Sequence, residues 1–385
     1  MTSDQDPKRP QPAADKTSTA ARPAGLAGQK PGNRRVRVER PGSEYFRHTP
    51  SGALEARPKA HEEVHPVGRA MAATRRLLFG RPLASAEEIG ERLSKKKALA
   101  IFSSDAISSS AYATEEILRA LLLAGVGLAA LNLALPVAIS IALLLGIVAI
   151  SYRQVVVAYP TGGGSYSVSK ANLGRLASLV AAAALLIDYV LTVAVSISSA
   201  SEQIVAAVPV LGEWQVLIAV VIVAVVTMAN LRGVREAGNI FAIPTYLFVG
   251  TALLMIVLGA WQILVEGQGQ SYPSIEDSAM DLASMAILLL AMRAFASGAV
   301  ALTGTEAIAT GVPSFEPPES KNAATTLAVM AVLLGILYIG ITFLASGFAV
   351  VPNEEATVLA QVSGHVFGYE SIGFYLFLTF AAIIL

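Results

Sequence analysis

Phe102-Ser103-Ser104-Asp105-Ala106-Ile107-Ser108 and Phe295-Ala296-Ser297-Gly298-Ala299-Val300-Ala301 are two short polar interruptions of apolar sequence, one early and one late in the chain. Each runs on into a Thr-Glu pair, Thr114-Glu115 in the first and Thr305-Glu306 in the second. Membrane helices interrupted at corresponding places in two halves of a chain mark the binding site of a secondary transporter. Asp105 stands where the second copy has Gly298, so the two interruptions are unequal: one carries a charge, the other a flexible backbone leading to Glu306.

The apolar sequence around them sets the fold class. Of 385 residues, 54% are hydrophobic and 15% charged, with a mean hydropathy of +0.59. A bilayer core of about 30 Å takes roughly 20 apolar residues in a helix. On that ruler spans fall near 97–124, 131–152, 175–206, 214–231, 240–265, 282–312, 322–351 and 372–385, giving an all-α integral membrane protein of about eight spans from residue 81 onward. The last stretch meets no polar flank before Leu385, so the chain is expected to stop inside a membrane helix.

Residues 1–80 differ sharply. Residues 1–97 hold 20 of the 28 Lys and Arg but 11 of the 28 Asp and Glu, and the first 80 are rich in proline and poor in large apolar side chains. This composition predicts a disordered basic tail. It lacks the apolar centre of a secretory signal. Within it, Arg69 to Arg81 mixes arginine with Met71, Leu77, Leu78 and Phe79, which suits either binding to anionic lipid or a basic linker. Positive charge alone does not indicate nucleic acid, and none is expected. With no cysteine, disulfides and thiolate metal sites are excluded.

Loop charges set the orientation. The loops after spans two, four and six carry Arg153, Lys170, Arg175, Arg232, Arg235 and Lys321, whereas those after spans one, three, five and seven hold Glu213, Glu266, Glu276, Asp277, Glu354 and Glu355 and no Lys or Arg. The positive-inside rule then puts the amino terminus in the cytoplasm and the chain across the plasma membrane.

Ionisable side chains at mid-membrane cost about 2.5 to 3.5 kcal/mol each on insertion scales and therefore mark function by default. Asp105, Asp188 and Glu306 are such residues. A structural ion pair with Arg119 or Arg293 is the competing reading, and Arg293 itself suits a structural or gating role. In the third span, Asp188, Thr192, Ser196 and Ser199 recur at helical spacing with Tyr189 beside them, so their oxygens face one way. Bonding of Ser and Thr to their own helix backbone is the alternative for each hydroxyl alone. Asp105 and Tyr112 lie about two turns apart in the first span, with a serine-rich stretch between them where a break would bare carbonyls that coordinate cations. Gly298 and Gly304 permit a second break, with Thr303 and Glu306 one turn apart. Glu115 and Glu116 fall near the outer end of span one as gate or surface residues. The triple glycine of Tyr159-Pro160-Thr161-Gly162-Gly163-Gly164-Ser165-Tyr166 lacks the Gly-Lys-Ser/Thr and preceding strand of a phosphate loop, and its position fits a mobile cytoplasmic gating loop.

Four segments carry a family likeness: SSDAISSSAYATEEIL at 103–118, ISYRQVVVAYPTGGGSYSVSKANLG at 150–174, LLIDYVLTVAVSIS at 185–198 and LTGTEAIATGVPSF at 302–315. On these the chain resembles the amino acid-polyamine-organocation (APC) superfamily, nearest to its KimA-type potassium importers. The resemblance implies a five-plus-five inverted repeat with broken first and sixth helices, proton-coupled potassium uptake and a homodimer. The second repeat would be incomplete here. It implies no resident cofactor, only transported potassium and protons. The cation pathway falls on Asp105, Tyr112, Asp188, Tyr189, Thr192, Ser196 and Thr303, with potassium held at Asp105, Tyr112, Tyr189, Thr192, Ser196 and Thr303 and the proton at Glu306.

The residues themselves leave two transport readings standing. An amino acid or polyamine permease would hold a substrate carboxylate on the freed amides of a broken helix. Asp105 among serines opposes that, although a substrate amino group could pair with an acid. A cation needs several oxygens and no nitrogen donor, and the Asp, Tyr, Thr and Ser set supplies them. A carboxyl whose solvation changes as a cavity changes sides can exchange protons, a role open to Glu306 or Asp188. A membrane sensor without transport is the third reading, and it would leave several costly buried acids without a use.

Overall fold

The computed structural model describes residues 92–123, 127–231, 234–273, 284–353 and 356–385, together with four strands nearer the amino terminus. Contacts divide the chain into two units, Met1–Arg75 and Arg76–Leu385. In the first, β1 (Gly25–Ala27) pairs antiparallel with β2 (Arg34–Val36), and β3 (Phe46–His48) pairs antiparallel with β4 (Leu54–Ala56). The tail expected to be disordered therefore has local pairing at these twelve positions. The amphipathic stretch Arg69–Arg81 lies outside the described residues.

The second unit is helical. The expected first span is split into α1 (Lys95–Phe102) and α2 (Ser104–Leu122). There follow α3 (Ala134–Ala158), a short α4 (Gly164–Asn172), α5 (Arg175–Ala207), α6 (Gln215–Leu231) and α7 (Val234–Leu264). The sixth span comprises α8 (Ser284–Gly298), a 3-10 turn over Ala299–Leu302, and a single turn, α9 (Ala307–Thr310). After it come α10 (Glu319–Gly347), α11 (Val358–Phe367) and α12 (Ile372–Ile384). Among the described residues six stretches are long and apolar enough to cross a membrane. The first span falls outside that set because it is broken and carries four charged residues on α2, and α12 because it has 13 residues. The α4 and α11 helices lie in segments that hydropathy reads as loops.

Packing sorts these helices into an inner group and a lipid-facing group. The α2 helix packs on α3, α8 and α10, α3 packs on α8 and α10 as well, and α12 packs on α5 and α7. Ile117, Leu121, Ile141, Phe248, Leu337 and Phe377 belong to the larger buried cluster. A smaller cluster joins Leu93, Ala106, Ile308, Phe315, Leu327 and Leu334, and so ties the start of α1 to the segment after α9. By contrast Leu143, Ile147, Leu176, Val190 and Val216 are largely bare of protein contacts. In a bilayer such surfaces meet lipid, and the helices satisfy their own backbone groups.

Candidate functional site

The two breaks differ in construction. In the first, Ser103 alone leaves the helical ladder, with φ −100° and ψ −5°, and α2 restarts at once with Asp105 in its first turn. A carboxyl is favourable there, where free amides and the helix dipole present positive charge. In the second, α8 stays helical through Gly298, and the chain leaves the helix only at Thr303–Glu306. The interruption expected at Phe295–Ala301 is thus displaced toward the Thr-Glu pair. Gly298 is a packing position, since a side chain there would run into Ile117 and Ile141. Gly304 makes the turn, with φ +76°, a conformation open to glycine and strained for other residues. Thr303 is extended, so it does not share a helical turn with Glu306.

These breaks meet face to face. A Cβ on Gly304 would lie 2.6 Å from Asp105 Oδ2 and 2.8 Å from the Ala106 amide nitrogen. The backbone of the second break therefore covers the amide end of α2, beside the Asp105 carboxyl. The family now follows from sequence and geometry together: the amino acid permease model matches residues 93–385. The chain belongs to the amino acid permease family. Potassium transporter KimA of Bacillus subtilis (strain 168) is 44% identical to this permease over 294 residues, 76% of this chain and 48% of the relative. The chain thus spans about half the length of that curated relative.

Around the meeting point the candidate residues of this permease separate into groups. Asp105, Asp188 and Glu306 are near enough to interact electrostatically. Among the described residues no three acidic or imidazole groups come close enough to share one metal ion. Asp105 Oδ1 and Glu306 Oε1 are both buried without a hydrogen-bond partner. A second group is built of hydroxyls: Tyr112 OH lies 3.0 Å from Ser109 Oγ, which lies 2.9 Å from Thr303 Oγ1, and Ser196 also reaches Tyr112. Continuous α5 delivers Ser196 and Ser199 to the interior, with Asp188, Tyr189 and Thr192 half-buried along the same helix. Tyr189 lies beside Thr310 and so belongs to one end of the site. Thr192 makes no hydrogen bond with the cluster among the described residues.

Nothing in composition distinguishes Ser109 from the other serines of its stretch, although it stands at the centre of the hydroxyl group. Its spacing from Asp105, one helical turn, was the available signal. Neither arginine neutralises the acids: Arg119 pairs with Glu115 at 2.5 Å and faces Glu116, and Arg293 is exposed.

Contacts close the site at both ends. At the Leu93 end, Leu93 exchanges backbone bonds with Ser314 O (2.7 Å) and Glu316 N (3.0 Å), Arg92 pairs with Glu319, and Phe102 stacks on Phe315 with ring centres 5.5 Å apart. The triple glycine lies against α9, where Gly163 N donates to Thr310 O at 3.3 Å. A Cβ at Gly164 would sit 2.9 Å from Thr310 Oγ1, so glycine is what allows this approach. At the other end, the Val358 amide donates to Glu115 Oε2 at 3.1 Å and Thr357 donates to Gln203 at 3.0 Å, fastening α11 over α2 and α5. Glu115, expected at a gate or surface, is buried in that closure.

Proposed function

We propose that this permease imports potassium together with a proton by alternating access, through the site where its two broken helices meet. The observation that carries the reading is the seating of Gly304 against Asp105 and the Ala106 amide. A substrate carboxylate would need the amides at the start of α2, and that place is taken by the chain's own backbone and acid. What faces the site instead is a set of oxygens: the carboxyls of Asp105, Asp188 and Glu306 and the hydroxyls of Tyr112, Ser196 and Thr303. Cations are held by such oxygen sets, with selectivity set by their number and field strength. The name of the 44% identical relative, a potassium transporter, points the same way.

Glu306 is the coupling carboxyl in this reading. It is 7% exposed, has one oxygen without a partner, and sits where the second break rejoins helix. Asp105 is the main cation ligand, with Tyr189 and Thr192 lining the path. Carrying a proton with potassium doubles the electrical drive, about 2.3 kcal/mol per charge per 100 mV. The Leu93 end, with the triple glycine, is the cytoplasmic seal, and the α11 end is the outer one. The amino terminus is then cytoplasmic, the host is the plasma membrane, the working unit is a homodimer, and the basic tail contacts anionic lipid.

Uptake by the full-length protein in proteoliposomes tests this directly. Potassium uptake should rise with an inward proton gradient and ignore a panel of amino acids and polyamines. Amino acid uptake indifferent to potassium would establish the permease alternative instead. In Glu306→Gln, uptake should lose its response to external pH, and full proton dependence in that variant would remove Glu306 from the coupling role.

A further inference from the structure

Each hydroxyl has one proton to give, and in this site several hydroxyls have a backbone carbonyl of their own helix within reach. Ser108 and Ser109 both donate to the Asp105 carbonyl at 2.9 Å, and Thr303 donates to the Val300 carbonyl at 2.9 Å. Bonds of this kind turn the proton back along the helix and leave the oxygen lone pairs pointing forward. Ser109 and Thr303 nevertheless bring their oxygens to 2.9 Å from each other. Each of these two hydroxyls has one proton and more than one acceptor within reach, a backbone carbonyl and the facing hydroxyl, so when both protons turn to the carbonyls the oxygen lone pairs face each other across the breaks. Two facing lone pairs at that distance, from opposite broken helices, suit a shared cation.

We propose that Ser109 is a further potassium ligand, the oxygen that joins the first break to the second. This deepens the potassium reading and rests on it. Ser109 is 0% exposed and touches Tyr112 and Thr303, while neighbouring Ser108, 2% exposed, bonds the same carbonyl and reaches neither. The pair separates ligation from a general effect on the helix. Because selectivity follows the number and field strength of ligands, loss of one neutral oxygen leaves the site dominated by its acids and weakens preference for potassium over sodium.

The test uses purified full-length protein in detergent, titrated with potassium, sodium or choline chloride and followed by thermal unfolding, with uptake in proteoliposomes as a second readout. Ser109→Ala should weaken potassium-dependent stabilisation about tenfold in midpoint concentration, on the scale of one lost contact to a charged group, and narrow the gap to sodium. Ser108→Ala should stay within about twofold of wild type on the same scale. Ser109→Cys, which keeps the volume but offers a soft sulfur, should match Ser109→Ala while melting as wild type does in choline. Equal potassium midpoints for wild type and both Ser109 variants would overturn the assignment, as would equal losses in Ser108→Ala and Ser109→Ala. If potassium fails to stabilise wild type more than choline does, the potassium reading itself falls, a result distinct from either.

Discussion

The two breaks reach one place by opposite means. At the first, a single residue leaves the helix and the work is done by side chains: Asp105 in the opening turn of α2, then Ser109 and Tyr112 along its face. At the second, four residues leave the helix and the work is done by the backbone, with Gly304 at φ +76° lying on Asp105. The cation site proposed between them needs charge and close approach, and each break supplies one of these. The second is the more demanding of sequence, because a left-handed turn without a side chain admits glycine almost alone.

The largest expected effect therefore comes from Gly304→Ala. Its methyl would be strained by the backbone, roughly 1–2 kcal/mol, and would press on Asp105 Oδ2 and the Ala106 amide at once. Relief requires the breaks to separate. Potassium-dependent uptake in proteoliposomes should fall by a factor on the order of 100, with a lower melting temperature in potassium than wild type. Uptake close to wild type would mean that the backbone contact is incidental, and the comparison of the two breaks would lose its basis.

Gly298→Ala should act differently, although Gly298 lies only six residues away. A Cβ there would run into Ile117 and lie 2.8 Å from Ile141 Cδ1, inside the packing of α8 against α2 and α3. Overpacking of this kind costs about 1–3 kcal/mol. Thermal stability should drop while the potassium midpoint of the surviving protein stays within about twofold of wild type. A shift in midpoint as large as that of Gly304→Ala would show that the two glycines serve one function.

That pair also explains how far the sequence could be read. The spans, the first break and the burial of Ser196 and Ser199 on α5 are legible because hydropathy, a serine-rich stretch around an acid and a 3.6-residue period are local signals. The second break lies later than its composition suggests, at Thr303–Glu306 and not at Phe295–Ala301. Composition does not separate a glycine that lets helices approach from one that bends the chain, and only the partner surface, Ile117 and Ile141 against Asp105, distinguishes them. Ser109 was passed over for a related reason. Back-bonding is the ordinary state of serine in an apolar helix, and its contacts to Thr303 depend on a residue 194 positions away. Helix α11 escaped because it is short and lies between spans, yet its amino terminus, with Thr357 as the cap, forms the closure on Glu115. Tyr189, grouped by spacing with the site, lies beside Thr310 at its edge.

The smallest effect is expected from Arg293→Gln, and it bears on the acids at the junction. The competing reading of those acids was structural, with Arg119 or Arg293 as counter-charge. Arg119 is committed to Glu115 and Glu116 at the far end of α2, and Arg293 is exposed, ten residues before Thr303 opens the second break. Neither arginine then lies among Asp105, Asp188 and Glu306, and in the proposed function these acids are compensated by the entering cation and proton. If Arg293 neutralised them, its loss would cost several kcal/mol and abolish uptake. A surface position instead changes stability by about 0.5 kcal/mol or less. Arg293→Gln should therefore keep wild-type uptake, pH response and melting temperature, and a collapse of all three would return the acids to a structural ion-pair network.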